Sequence, residues 1–200
     1  MSVAISPLGR RERNKQAKLE RITAAASELF AKHGVDEVTT QQIADAADIG
    51  SGTLFLYAKT KGELLLLVQN AHYGAALERG RESAGREKTV LDAVMAIIAP
   101  IVECNRVQVD NGRIYLREMV FGDPAEPHHA EALSIVAQTG EAVAGILADR
   151  VGIAAGSAAT LARVVSAIVF LELAASVNVD SSTPELIAGI RDQVAAILPK

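Results

Sequence analysis

The residues best suited to chemistry in this sequence are Ser51, Gly52 and Thr53, directly after the turn-forming run Asp48-Ile49-Gly50. The chemistry they suit is recognition. Short side chains let a backbone approach a partner closely, and hydroxyls can bond phosphate oxygens or base edges. Catalytic sets are missing: there is no G-x-x-x-x-G-K-[ST], G-x-S-x-G, H-E-x-x-H or C-x-x-C. The expectation is a protein that is not an enzyme and uses no cofactor. His128 and His129 are adjacent, so on a helix they point about 100° apart and cannot share a metal ion. No metal site is expected. Cys104, the single cysteine, excludes an intramolecular disulfide and a Cys-built zinc site, and reads as a small buried hydrophobe.

The elements that must position these residues are helices. Half of the 200 residues are apolar, aromatics are only 4%, Trp is absent and there are 6 Pro, which favours long Ala- and Leu-rich helices over strands. From Arg11 to Lys32 apolar residues recur at Ile22, Ala25, Ala26, Leu29 and Phe30, one face of an amphipathic helix ended by Gly34 at a left-handed C′ position. Thr39 and Gln42 form a capping box for a brief helix whose inner face is Ile43, Ala44 and Ala47. Thr60 and Glu63 read as a second box, opening a helix to about Glu82. Further helices are expected near 89–109, 111–121, 127–152, 157–178 and 183–198, the last with Pro184 at its first position. Period-2 alternation is absent. The fold class is therefore all-α with about nine helices. Three short helices near the N-terminus, with a tight turn between the second and third, fit a helix-turn-helix entering a DNA major groove.

Charge is uneven. Residues 1–21 carry six basic groups against Glu12 and Glu20, whereas the whole chain has a net charge of −4. A basic arm on an acidic body suits an anionic partner at one end. Met1 to Arg10 has no apolar stretch long enough for a secretory signal, and the apolar run Leu161–Val177 contains Arg163 and Glu172 and falls short of the ~20 residues of a membrane span. A soluble, cytoplasmic protein without a membrane partner is expected.

Residues 19–68 resemble the N-terminal domain of tetracycline-repressor (TetR) type transcriptional regulators. The resemblance lies in Ile22-x6-Leu29-Phe30-x3-Gly34, Thr39-Thr40-x2-Ile43-Ala44-x2-Ala47, Gly52-Thr53-Leu54-Phe55 and Lys59-Thr60-Lys61-x-Glu63-Leu64. It implies a DNA-binding domain over residues 1–60 and a ligand-binding and dimerisation domain over 61–200. It also implies a recognition segment from Gly50 to Tyr57, with Ser51, Gly52, Thr53, Leu56 and Tyr57 near double-stranded operator DNA. Phe55 would stand beside phosphate and Leu54 in the core. Thr39, Thr40 and Gln41 would offer a helix N-terminus to a phosphate, and Lys61 would contact another. Departures exist: Asp48 stands where the family usually has Gly, Gly50 replaces a Ser or Thr cap, and Leu56 and Ala58 replace a polar residue and Phe.

In the C-terminal two-thirds, the helix at 157–178 is apolar nearly all round and must be covered on most sides. We expect it to pair, with the last helix, against a second copy in a homodimer; an intrachain core is the alternative. The resemblance implies an effector pocket, for which Met95, Ile98, Val102, Tyr115, Met119, Phe121, Val136 and Phe170 are the candidate lining. The expected effector is small and hydrophobic or weakly polar. The function read from all this is a ligand-responsive repressor released from a palindromic operator. The alternative is a helical small-molecule-binding or interaction protein with a degenerate helix-turn-helix.

Overall fold

The computed structural model describes residues 9–199, and among them the chain is helical with no strand. Most of the Met1–Arg10 stretch read above for a secretory signal lies outside the described residues. Nine α-helices are described: α1 Arg10–His33, α2 Thr40–Ala46, α3 Ser51–Leu54, α4 Lys61–Ala84, α5 Val90–Arg106, α6 Val109–Phe121, α7 Pro127–Val151, α8 Ala155–Ala174 and α9 Thr183–Ile197. A 3₁₀ turn, Ser176–Asn178, joins the last two. The chain divides into two compact units between Val68 and Gln69, within α4.

In the first unit, α1 buries Ile22, Ala25, Ala26 and Phe30, the face its periodicity marks. Every residue from Arg10 to Lys18 is exposed, so the basic turns of α1 stand in solvent. Gly34 ends α1 with φ 78° but ψ 157°, a positive-φ extended conformation rather than the left-handed helical one expected. The capping box of α2 is complete: the Gln42 amide donates to Thr39 Oγ1 (3.2 Å) and the Thr39 amide to Gln42 Oε1 (2.8 Å). Ile43, Ala44 and Ala47 are buried, small enough at the last two for α2 to sit close to its neighbours α1 and α3. The turn that follows is made at Asp48, φ 52°, the one non-glycine with positive φ among the described residues. The Ile49 amide reaches back to the Ala44 carbonyl at 3.0 Å, closing α2 as a left-handed C-cap does. Asp tolerates this region better than most residues, and Arg21 Nη1 lies 3.3 Å from its carboxylate.

In the second unit, α7 packs along α8, and α5 and α8 each pack on α9. Aliphatic residues fill the seams, among them Val94, Ile97, Leu147, Val165, Leu173 and Ile190. Arginines tie loops to this frame. Arg106 Nη2 donates to the carbonyls of Val179 (3.0 Å) and Ser181 (2.6 Å), and Arg150 donates to those of Ala84 (2.8 Å) and Glu87 (2.7 Å). The α5–α6 corner depends on Gly112, where a Cβ would stand 2.3 Å from the Asn105 carbonyl oxygen.

Several boundaries differ from the sequence reading. The N-cap of α9 is Ser182, boxed with Glu185, which places Pro184 at the second position. Gly156 lies inside α8 rather than before it. That helix stops at Ala174, because Asn178 Nδ2 donates to the Glu172 carbonyl (2.9 Å) and carboxylate (2.7 Å) and folds the chain back. By length and composition α8 could cross a membrane, yet its buried residues Ala158, Ala162, Val165, Val169 and Leu173 form one stripe of a core helix. It is not covered on most sides, however: Thr160, Val164, Ala167 and Leu171 remain exposed along the opposite stripe.

Candidate nucleic-acid interface and effector cavity

The recognition segment is short because its sequence gives it little to hold on to. Gly50 caps α3 by backbone alone, with no side-chain bond, and regular helix lasts only from Ser51 to Leu54. Turns carry the chain on: the Leu56 amide donates to the Thr53 carbonyl (3.1 Å) and that of Tyr57 to the Leu54 carbonyl (2.9 Å). Leu54 is fully buried and anchors the segment. Ala58 is also buried, so it forms no part of the outward surface and only Leu56 makes that surface less polar, being 83% exposed. Gly52, Phe55 and Leu56 are exposed, and Ser51, Thr53 and Tyr57 half-buried.

Not every candidate side chain is unengaged. Ser51 Oγ donates to Gln41 Oε1 at 2.5 Å, and Gln41 Nε2 donates to Asp45 at 2.7 Å, so these two residues brace α2 against α3. Tyr57 donates its hydroxyl to the Lys15 carbonyl at 3.3 Å, which brings the basic turns of α1 beside the recognition segment. Lys61 Nζ donates to the carbonyls of Val35 and Asp36, both at 3.0 Å, and thereby ties the start of α4 to the connector after α1. Two of its three protons are thus spent within the fold. Thr39 is committed to its box, while Thr40 and Thr53 keep hydroxyls without a protein partner among the described residues. The surface so assembled has small polar groups, one exposed aromatic and a neighbouring cationic helix end, suited to a phosphate backbone and groove edges.

The second unit contains an apolar cavity of about 330 Å³. Ile98, Tyr115, Met119, Val136 and Phe170 line it as expected. Met95 and Val102 do not; they are buried in the packing of α5 on a flank beside Ile98. Phe121 does not either, standing 80% exposed at the last turn of α6. The wall also includes residues the sequence reading passed over: Tyr73, Ile101, Leu116, Ile135, Thr139, Ser166, Ala167, Val169 and Leu173. Tyr73 carried a usable signal, as one of only three tyrosines in an aromatic-poor chain. The others are aliphatic or small hydroxyl residues with nothing in their spacing to mark them.

The polar atoms in this wall face protein rather than the hollow. Thr139 donates to the Ile135 carbonyl (2.8 Å) and Ser166 to the Ala162 carbonyl (3.0 Å). Tyr73 and Tyr115 stack with ring centroids 4.4 Å apart. Tyr115 donates to Asn70 Oδ1 at 2.9 Å, and Tyr73 accepts from Asn105 Nδ2 at 2.7 Å. Burial, above all, pushes both phenols further from ionisation. No charged side chain lines the cavity. It can take a hydrocarbon and would oppose an ionised group, which it could not solvate. Close by, Cys104 is half-buried, and burial pushes its thiol up to about 11. His129 is buried with both ring nitrogens unpartnered, and among the described residues no group of three or more His, Cys, Asp or Glu could hold a metal ion.

Residues 22–68 match the model of bacterial regulatory proteins of the tetR family. Over 87 residues the chain is 28% identical to the fatty acid metabolism regulator protein of Bacillus subtilis (strain 168), covering 44% of this chain and 45% of that relative. The chain thus spans about half the length of the curated relative it matches. Among solved structures, it resembles FadR of Thermus thermophilus, a TetR-family transcriptional repressor in complex with lauroyl-CoA, with a TM-score of 0.68 at 22% identity over 90% of this chain and 92% of the other. It also resembles FadR of Bacillus subtilis in complex with stearoyl-CoA, with a TM-score of 0.63 at 16% identity over 88% and 96%. At these identities the likeness is one of fold.

Proposed function

We propose, for a chain that belongs to the tetR family of bacterial regulatory proteins through residues 22–68, that it is a DNA-binding repressor released from a palindromic operator by a hydrophobic effector. The observation that carries this reading is the helix-turn-helix, whose Ser51–Leu56 surface lies beside the basic turns of α1 through the Tyr57–Lys15 bond. Residues 1–60 serve as the DNA-binding part, and 61–200 as the ligand-binding and dimerisation part. Thr40, Thr53 and Phe55 are the side chains best placed for DNA. Gln41, Ser51 and Lys61 act first by holding the segment in position.

The effector we assign to the cavity is an acyl chain. Two structurally similar regulators were solved with acyl-CoA bound, and an uncharged apolar wall suits such a chain. A homodimer forms through the exposed stripe Thr160, Val164, Ala167 and Leu171 of α8 together with α9, where small residues permit close approach. Two recognition segments about 34 Å apart then read a two-fold symmetric site. Effector and DNA compete by linkage, each favouring a different state of the dimer.

Fluorescence anisotropy at physiological salt, using DNA from upstream of the protein's own gene and then sites selected from random sequence, tests the reading. Selected sites should bind at least ~10³-fold tighter than scrambled DNA, and an acyl-CoA should raise their Kd. Failure to enrich any sequence would end the DNA-binding assignment.

A further inference from the structure

The uncharged wall of the cavity opposes the ionised end of an amphiphile, and a neighbouring hollow offers that end a place. A second hollow of about 420 Å³ runs on along the α7–α8 seam, toward the start of α8. Val136 and Ser166 line both hollows, so the two are neighbours. The second is a groove floored by small residues such as Ala144 and Ala159, with two charged side chains on its walls, Arg163 and Glu141. Neither has a hydrogen-bond or ion-pair partner among the described residues, and the carboxylate and guanidinium do not pair with each other.

The geometry points to a head-group subsite in this groove, with Arg163 as the cation that holds the anionic end of a chain amphiphile whose tail fills the cavity. The inference rests on reading the cavity as a chain-binding site. Its warrant is complementarity along one path. The tail's end of that path is uncharged, with Thr139 and Ser166 spending their protons on the carbonyls of Ile135 and Ala162. The groove end supplies an unneutralised guanidinium, which can grip a carboxylate or phosphate through two parallel bonds. Arg163 borders the exposed stripe of α8, three residues after Thr160 and four before Ala167, so the groove lies at the rim of a dimer built on that stripe. Glu141 opposes an anion there. It sets a preference for a head held on the Arg163 side, and its removal should strengthen binding.

Isothermal titration of the full chain with dodecanoate and with 1-dodecanol, below micelle formation, separates head from tail. Arg163→Gln should weaken dodecanoate about three- to fivefold, the worth of a partly exposed ion pair, and leave dodecanol unchanged. Glu141→Gln should tighten dodecanoate by a similar factor, and raised salt should weaken dodecanoate alone. If Arg163→Gln leaves the dodecanoate-to-dodecanol ratio unaltered, the subsite is refuted while the cavity reading stands. If the same variant instead dissociates the dimer in sedimentation with that ratio unaltered, a second copy covers the groove and the proposal falls. If the native chain binds neither probe, the cavity reading fails and takes the subsite with it.

Discussion

Lengthening an apolar ligand one carbon at a time should reveal the depth of the cavity. Its volume is about 330 Å³, and a methylene occupies roughly the 30 Å³ that a water takes in the liquid, so about 11 carbons fill it. Each methylene moved from water into such a wall contributes about 0.8 kcal/mol, or about fourfold in Kd. From 1-hexanol to 1-decanol the gain should therefore approach 3 kcal/mol, roughly 200-fold. Beyond about 11 or 12 carbons the chain must extend past this wall, where fewer atoms surround it, and the gain per carbon should fall below half its earlier value. Calorimetry on the even-numbered alcohols from six to sixteen carbons gives the slope directly. A gain smaller than twofold per carbon in the short range, or an unbroken slope to sixteen carbons, would refute the assignment of this cavity as a chain site of limited depth.

Gly112→Ala should cost about 2 kcal/mol or more, since its Cβ would lie 2.3 Å from a backbone oxygen that cannot step aside; urea unfolding with an unchanged midpoint would contradict the close approach. Cys104, with its thiol pushed up to about 11, should have a thiolate fraction of about 10⁻³ at pH 8, against about a quarter for an exposed thiol. Its reaction with a chromogenic disulfide should then be about a hundredfold or more slower than that of free cysteine and rise about tenfold per pH unit until pH 11; reaction at the free-cysteine rate at pH 8 would show the thiol to be accessible. Lys61→Ala removes two bonds to the carbonyls of Val35 and Asp36 and should lower stability by about 1–2 kcal/mol. It should also reduce the salt slope of DNA binding by about one unit if its remaining proton meets a phosphate; an unchanged slope would restrict Lys61 to bracing the fold.

The helices, their caps and the turn of the recognition motif were legible in the residues because their causes are local. Thr39 and Gln42 bond within a single helical turn, and Asp48 takes a positive φ through its own backbone and its carbonyl neighbours. The inner face of α1 follows from a 3.6-residue repeat that needs no partner to be seen. The resemblance carried by residues 19–68 is likewise a matter of order and spacing along the chain.

What the sequence did not determine was which side chains share a space. Ile98 and Met95 lie one helical turn apart on α5, yet only the first reaches the cavity. Phe121 had the same aromatic character as Phe170 but lies at the free end of α6. Lys61 and Ser51 read as contacts for a partner, and the fold turned both partly inward, to carbonyls of the α1 connector and to Gln41. Sequence by itself determined the all-α class and the helix-turn-helix, since hydrophobic period and capping act over four residues. Only the tertiary structure decided the cavity, its uncharged wall and the groove holding Arg163. A hollow is where several helices fail to fill the space between them, and the rotation of each helix is set by the sum of its contacts with all the others.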